Sequence, residues 1–156
     1  MTYQIRKIIE KPLIKVLLVD DDNDDYLLFK KILDYQVFKT SLQLVINGDN
    51  FMAKLNDENL ELPDVIFLDV NMPIRDGYSC LVEIKDLPRL KNIPIVMYST
   101  SYERNVADML FEMGADYFIQ KTMDFGDLRM LIERALCFVS ENAHYSPTRK
   151  NFLILR

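Results

Sequence analysis

Short apolar runs that alternate with helix-patterned segments restrict this chain to few folds. Four such runs lie at 16–19, 65–68, 95–98 and 116–120, and polar residues or turn signals bound each of them. An apolar run of this length is typical of a parallel strand that is buried on both faces. The segments between the runs carry apolar residues at helical spacing. Strands that alternate with helices predict an α/β fold built on a parallel sheet.

The predicted elements give this fold class a definite form. A further strand is expected at 42–46, and helices are expected at 24–37, 50–55, 77–85, 103–113 and 125–140. The pattern predicts a doubly wound, five-stranded parallel sheet in the flavodoxin-like order 2-1-3-4-5. A chain of 156 residues is long enough for one core. We expect an N-terminal extension over 1–13, one folded domain over 14–140 and a C-terminal tail over 141–156.

Acidic residues follow two of the predicted strands. Asp20, Asp21 and Asp22 close the apolar run at 16–19, and Asp69 closes the run at 65–68. Ligands of open α/β sheets bind beyond the carboxyl ends of the strands, so these acids are expected to converge. Crowded carboxylates repel one another unless a cation or a proton shares the site, and Mg²⁺ favours oxygen ligands. The alternative is a solvated acidic turn that caps the next helix.

Two other strand ends supply complementary groups. Ser99 follows the run at 95–98, and Lys121 follows the run at 116–120, where its compact charge suits a phosphoryl oxygen. Either residue alone is more often structural, as a turn residue or as a solvated lysine. The more specific signal is their joint order, in which an acidic cluster, a single acid, a hydroxyl and a lysine follow four separate strands.

These stretches closely resemble the receiver domain of two-component response regulators, in its stand-alone, chemotaxis-type form. The resemblance rests on 16–22, on Asp69-Val70-Asn71-Met72-Pro73 with Asp76-Gly77, on 94–101 and on 114–121, and it spans about 14–140. It implies the receiver fold over that range.

The resemblance also implies roles for individual residues. Asp69 corresponds to the phosphoacceptor. Asp20 and Asp21 correspond to the acids that hold Mg²⁺, together with Asp69 and the backbone carbonyl of Asn71. Asp22 falls outside this set and is expected to cap the following helix.

Three further positions correspond to the switch of the family. Ser99 stands where receivers have a switch hydroxyl, Lys121 where they have an invariant lysine, and Phe118 where they have a mobile aromatic. Receivers usually follow the lysine with proline, often in a cis peptide, whereas Thr122 follows it here. A non-proline cis bond costs about 2.5–4 kcal/mol, so both states of this peptide stay open.

The function implied is that of a response regulator, not an enzyme. It would accept a phosphoryl group from a sensor histidine kinase or a histidine phosphotransfer protein and would then change its contacts with an unknown downstream protein. In receivers the usual partner face is formed by the fourth helix, the fifth strand and the fifth helix. Here that face would present Arg104, Phe111, Arg129 and Met130. Single exposed apolar residues are common, and a homodimer through this face stays open beside a monomer.

Two other functions remain as alternatives. A haloacid-dehalogenase-type phosphatase would use Asp20 as its nucleophile, although the acid motifs at 47–49 and 126–127 fit that family poorly. A pseudo-receiver would bind a partner without phosphorylation, and only Thr122 favours it.

Composition excludes several other classes. The net charge of −5 argues against general binding to nucleic acid. No apolar run approaches 18 residues and no signal-peptide pattern is present, so we expect a cytoplasmic protein without membrane insertion. Cys80 and Cys137 are expected to be reduced thiols. Residues 1–11 are expected to be disordered, with packing along the sheet as the alternative, and the apolar cluster at 152–155 is expected to dock on its own domain or on a partner.

Overall fold

A five-stranded parallel sheet lies at the centre of the molecule. The computed structural model describes residues 12–141 and 148–155. The strands are β1 (Ile14–Val19), β2 (Thr40–Val45), β3 (Val65–Asp69), β4 (Ile95–Ser99) and β5 (Tyr117–Gln120). All neighbouring strands are parallel and their order is 2-1-3-4-5. The predicted α/β fold and its strand order are confirmed.

Six helices surround this sheet in the described part of the chain. They are α1 (Asn23–Asp34), α2 (Gly48–Leu55), α3 (Gly77–Asp86), α4 (Arg104–Glu112), α5 (Phe125–Glu141) and the short α6 (Arg149–Phe152). The first helix ends at Asp34 and not at Val37 as expected. Tyr35 and Val37 are 56% and 63% exposed, so burial does not favour a longer helix. The Tyr35 N–H instead closes a tight last turn on the Ile32 carbonyl.

Alternate strand residues pack against opposite layers of helices. In β3, Val65 and Phe67 join the core beneath α1 and α5, whereas Ile66 and Leu68 join the core beneath α2, α3 and α4. All five residues of β3 and of β4 are buried. Strands covered on both faces explain the continuous apolar runs in the sequence, which lack polar alternation.

The strand β5 lies at one edge of the sheet, and the C-terminal segment packs beside it. Leu153 forms a parallel bridge with Phe118, and the Ile154 N–H donates to the Phe118 carbonyl oxygen at 3.0 Å. The expected docking of the cluster at 152–155 therefore takes place on the same domain. The expectation for residues 1–11 falls outside the described residues. Within 12–141 and 148–155, the helices are too short or too polar to cross a membrane.

Candidate functional site

The carboxyl ends of β1, β3 and β5 bring two acids and one lysine together. Asp20 directly follows β1, Asp69 is the last residue of β3, and Lys121 directly follows β5. The Lys121 Nζ lies 2.8 Å from Asp20 Oδ2 and 3.3 Å from Asp69 Oδ2. Because parallel strands end at the same edge of the sheet, residues about 100 positions apart in sequence meet in one place.

Two hydrogen bonds hold Asp20 in place, and Asp22, two residues later, caps the start of α1. The Asp22 N–H donates to Asp20 Oδ1 at 2.9 Å, while Lys121 binds the other carboxylate oxygen. The Asp22 side chain accepts from the Asp24 and Asp25 N–H groups, as an N-cap residue does. The structure thus places Asp22 as expected, at the start of α1 and outside the lysine contacts.

The loop after β3 shapes the surroundings of Asp69. The Asn71 N–H donates to Asp69 Oδ1 at 3.1 Å, and the Gly77 N–H donates to the Val70 carbonyl at 3.0 Å. Gly77 begins α3 so close to the strand end that an added Cβ would lie 2.4 Å from the Asp69 carbonyl oxygen. Only glycine permits this approach without a backbone shift.

Lys121 has a third acidic partner that sequence reasoning missed. Its Nζ lies 2.9 Å from Asp25 Oδ2 on α1 and 4.8 Å from the centre of the Tyr98 ring. The lysine side chain is only 7% exposed, so three carboxylates surround a nearly buried ammonium group. Asp25 lies in the first turn of α1, three residues after the N-cap Asp22, and no sequence pattern indicated its contact with Lys121.

Burial and mutual repulsion perturb the titration of these groups. Burial, opposed by the charge of Lys121, raises the pKa of Asp69 to about 6. Burial also raises the pKa of Asp20, although its hydrogen bond with Lys121 acts in the other direction. Burial alone would lower the pKa of Lys121, but hydrogen bonds with Asp20 and Asp25 raise it. The lysine therefore stays protonated, and a further cation would stabilise the ionised form of the carboxylates.

The acids fit a hard divalent metal ion. Carboxylate oxygens of Asp20, Asp21 and Asp69 all lie within 4.8 Å of one another. Mg²⁺ takes oxygen ligands and is usually bound by one or two carboxylates, so these residues could hold such an ion. Asp21 is exposed, which leaves the group open to solvent on one side. Asn71 belongs to the adjoining loop, where its N–H contacts Asp69.

Of the predicted switch residues, Ser99 contacts Lys121 through its backbone, and Phe118 lies three residues before Lys121 on β5. Ser99 ends β4 and is 2% exposed, and its carbonyl oxygen accepts from the Lys121 N–H at 2.7 Å. Phe118 is 1% exposed, and its ring centre lies 5.7 Å from that of Tyr102. The peptide that joins Lys121 to Thr122 is trans.

The predicted partner face is only partly open. Arg104, Arg129 and Met130 are exposed on α4 and α5. Phe111 is half-buried instead, because Phe152 packs on it with ring centres 5.4 Å apart and the Arg149 guanidinium lies 5.3 Å from the same ring. The structure therefore covers Phe111 with the C-terminal segment.

Comparisons with known proteins agree with this geometry. A sequence model of the response regulator receiver domain matches residues 16–133. Response regulator Rcp1 of Synechocystis sp. (strain ATCC 27184 / PCC 6803 / Kazusa) is 31% identical over 122 residues, which cover 76% of this chain and 83% of Rcp1.

Two solved structures share the architecture over most of the chain. The phosphorylated cyanobacterial phytochrome response regulator RcpA has a TM-score of 0.76 and 30% identity, covering 84% of this chain and 96% of its own. The Mn²⁺-bound form of Rcp1 has a TM-score of 0.74 and 29% identity, covering 86% of this chain and 99% of its own. The likeness thus includes both the sheet and the helices around it.

Proposed function

The chain belongs to the response regulator receiver domain family of two-component signalling, and on that premise we propose that Asp69 accepts a phosphoryl group in an Mg²⁺-dependent reaction. One observation carries the proposal. A carboxylate that is 5% exposed lies at a strand end, within 3.3 Å of a lysine ammonium and beside two further acids. The similar RcpA structure is of a phosphorylated protein, and the Rcp1 structure is of a Mn²⁺-bound protein.

Phosphoryl transfer to Asp69 requires mainly that the protein position the reacting groups and neutralise the charge on the phosphoryl oxygens. A carboxylate oxygen of Asp69 attacks the phosphorus in line with the leaving group, the new O–P bond forms, and the donor's N–P bond breaks. Lys121 is held where it can neutralise a phosphoryl oxygen. A bound Mg²⁺ ion supplies further positive charge there, and Asp20, Asp21, Asp69 and the Asn71 carbonyl would hold it.

The proposed switch uses the residues that border the new phosphate. An aspartyl phosphate adds about two negative charges to a small, buried space. The Ser99 hydroxyl and the Lys121 ammonium are the donors that would follow its oxygens, and Phe118 packs beside the loop that carries Ser99. A shift of this loop would transmit the modification to the α4–β5–α5 surface, which exposes Arg104, Arg129 and Met130 and holds Phe111 beneath the C-terminal segment.

The proposed partners follow from the chemistry of the acceptor. The donor is a phosphohistidine on a sensor histidine kinase or a histidine phosphotransfer protein, and the receiver is its cytoplasmic acceptor. A protein target then reads the phosphorylated surface. In this scheme the chain assists only its own phosphorylation and dephosphorylation, and it has no separate substrate. A homodimer through the same surface is a second use of it.

Intact-mass measurement with Mg²⁺ and acetyl phosphate tests the proposal. We expect the wild type to gain the mass of one phosphoryl group, and Asp69→Asn to gain none. Asp20→Asn should slow the reaction because it removes an acid of the metal set, whereas Asp24→Asn, which changes an exposed acid outside that set, should react as the wild type does.

Two other results would point away from a receiver that works by phosphorylation. Labelling or turnover that survives Asp69→Asn but not Asp20→Asn would favour the phosphatase that uses Asp20. No labelling of any variant, with Mg²⁺ binding shown separately by calorimetry, would favour a pseudo-receiver.

A further inference from the structure

The C-terminal segment 148–155 wraps around the free edge of the sheet. Phe152 joins the core on the α4 side of the sheet, whereas Ile154 joins the core on the α5 side. Both side chains are 4% exposed. Between them, Leu153 pairs in parallel with Phe118 at the middle of β5. The segment is therefore bound at the sheet edge through one bridge pair, with one anchor on each face of the sheet.

Charged groups fix the two ends of this segment. Arg149 forms ion pairs with Asp108 and Glu112 on α4, the former at 3.4 Å, and its guanidinium also lies against the Phe111 ring. At the other end, Arg134 on α5 donates a hydrogen bond to the Leu155 carbonyl. The residues that make these contacts form a pattern in the sequence of the segment: a basic residue, an aromatic residue three positions later, and two aliphatic residues after it.

The surface under the segment has the properties of a peptide site. An edge strand presents unpaired backbone groups to any extended chain, and here the Phe118 carbonyl accepts from the Ile154 N–H. The segment does not fill the space available. A cavity of about 540 Å³ remains between it and the end of β5, lined partly by Tyr102, Gln120, Leu131 and Leu155. A longer segment would find apolar and polar contacts there that residues 148–155 do not use.

The segment itself is a weak structural element. The helix α6 has only four residues, and its N-cap Thr148 makes no side-chain capping hydrogen bond. Its ion pairs are half-exposed, with Arg149 at 56% and Asp108 at 46%, and exposed pairs hold weakly. Its attachment therefore rests mainly on the buried side chains of Phe152 and Ile154.

We propose that the groove formed by α4, the β5 edge and α5 recognises an extended partner segment with a basic–x–x–aromatic–aliphatic–aliphatic pattern, and that residues 149–155 occupy this groove as an intramolecular competitor. The partner pairs in parallel with β5, places its aromatic side chain between Phe111 and Phe118, and sets its basic residue against Asp108 and Glu112. The proposal does not depend on phosphorylation of Asp69.

A labelled peptide tests whether a separate chain can occupy the groove once the protein's own segment is released from it. The probe is a fluorescein-labelled peptide of residues 148–155, added to full-length protein and followed by fluorescence anisotropy. The variant Phe152→Asp/Ile154→Asp releases the segment in the protein by placing charges at both anchors. We expect this variant to bind the peptide at least tenfold more tightly than the wild type, since a groove that is more than nine-tenths occupied reduces apparent affinity by that factor.

Matched controls test the geometry of binding. A peptide that carries Phe152→Asp should not bind the released variant. The further changes Asp108→Lys and Glu112→Lys in the released protein should weaken binding of the normal peptide, and a peptide with Arg149→Glu should restore it. The single variant Arg149→Glu in the protein keeps the apolar anchors and should release the groove to a smaller degree, so it carries the test if the double variant does not fold.

Three results would overturn the proposal. The first is a folded release variant, checked by circular dichroism, that does not bind the peptide. The second is a wild type that binds the peptide as tightly as the release variants do. The third is a wild type that sediments as a dimer and becomes a monomer in the release variants, because the segment then occupies the groove of a second copy.

Discussion

Asparagine at position 69 is expected to make the metal-free protein more stable at neutral pH. Burial raises the pKa of Asp69 from its ordinary 3.8 to about 6. The folded state therefore holds this proton more tightly than the unfolded state does. The resulting stabilisation is complete below pH 3.8 and is lost as the pH rises through about 6. A difference of about two pKa units corresponds to about 3 kcal/mol, which is the upper limit of the gain from Asp69→Asn at pH 7.5.

The gain in stability from Asp69→Asn is expected to depend on pH, and this dependence identifies titration of Asp69 as its cause. At pH 5 the same titration predicts a gain about half as large as at pH 7.5, because Asp69 is then still mostly protonated in the folded state. Urea unfolding followed by far-ultraviolet circular dichroism, in the presence of a chelator, measures both values. Glu58→Gln is the matched control, since Glu58 is an exposed carboxylate between α2 and β3. It should change the free energy of unfolding by less than about 0.5 kcal/mol at either pH.

Metal provides a second arm of the same experiment. A cation that binds only the folded protein stabilises it in proportion to the logarithm of its concentration above the dissociation constant. Excess Mg²⁺ should stabilise the wild type more than Asp69→Asn and so reduce the difference between them. The reasoning is wrong if Asp69→Asn is less stable than the wild type at pH 7.5 without metal, or if its gain is the same at pH 5 and pH 7.5.

Three further changes test how the backbone around the site is built, each by urea unfolding. Gly77→Ala should lower the free energy of unfolding by about 2 kcal/mol or more, because its Cβ would lie 2.4 Å from the Asp69 carbonyl oxygen. As the control, Gly126→Ala meets only a side-chain oxygen at 3.5 Å and should be neutral or stabilising. Equal effects of the two changes would contradict the reasoning. Ile74 is 88% exposed and has φ of 70°, so Ile74→Gly should gain about 0.5–1 kcal/mol, while Ile74→Ala keeps the strain and should gain nothing. Asp22→Ala should cost about 1 kcal/mol through loss of the α1 cap, and Asp22→Asn should cost only a few tenths; a similar loss in both would show that the charge and not the cap matters.

The strands that the sequence predicted best are those buried on both faces. β3 and β4 consist entirely of buried residues, so each appears as an uninterrupted apolar run. The edge strand β2 was less certain, because its buried and exposed residues mix; it covers Thr40–Val45, whereas 42–46 was expected. Helix ends varied for a similar reason, since local capping and the loss of a buried stripe decide where a helix such as α1 stops.

The candidate site was predictable to the extent that strand ends define it. Asp20, Asp69, Ser99 and Lys121 all follow or end buried strands, and a parallel sheet brings such positions to one edge. The contact between Lys121 and Asp25 was not predictable in this way. It joins residues 96 positions apart and depends on how α1 lies over the sheet.

The sequence by itself determined the class of fold and the chemical groups at the site, because apolar periodicity and strand-end residue types are local properties of the chain. Tertiary structure alone decided that Lys121 is shared among three carboxylates, that burial raises the pKa of Asp69, and that Phe111 lies beneath Phe152 and Arg149. Each of these depends on distances between segments far apart in sequence. Such distances arise only when helices and the C-terminal segment pack on the sheet, and local patterns carry no information about them.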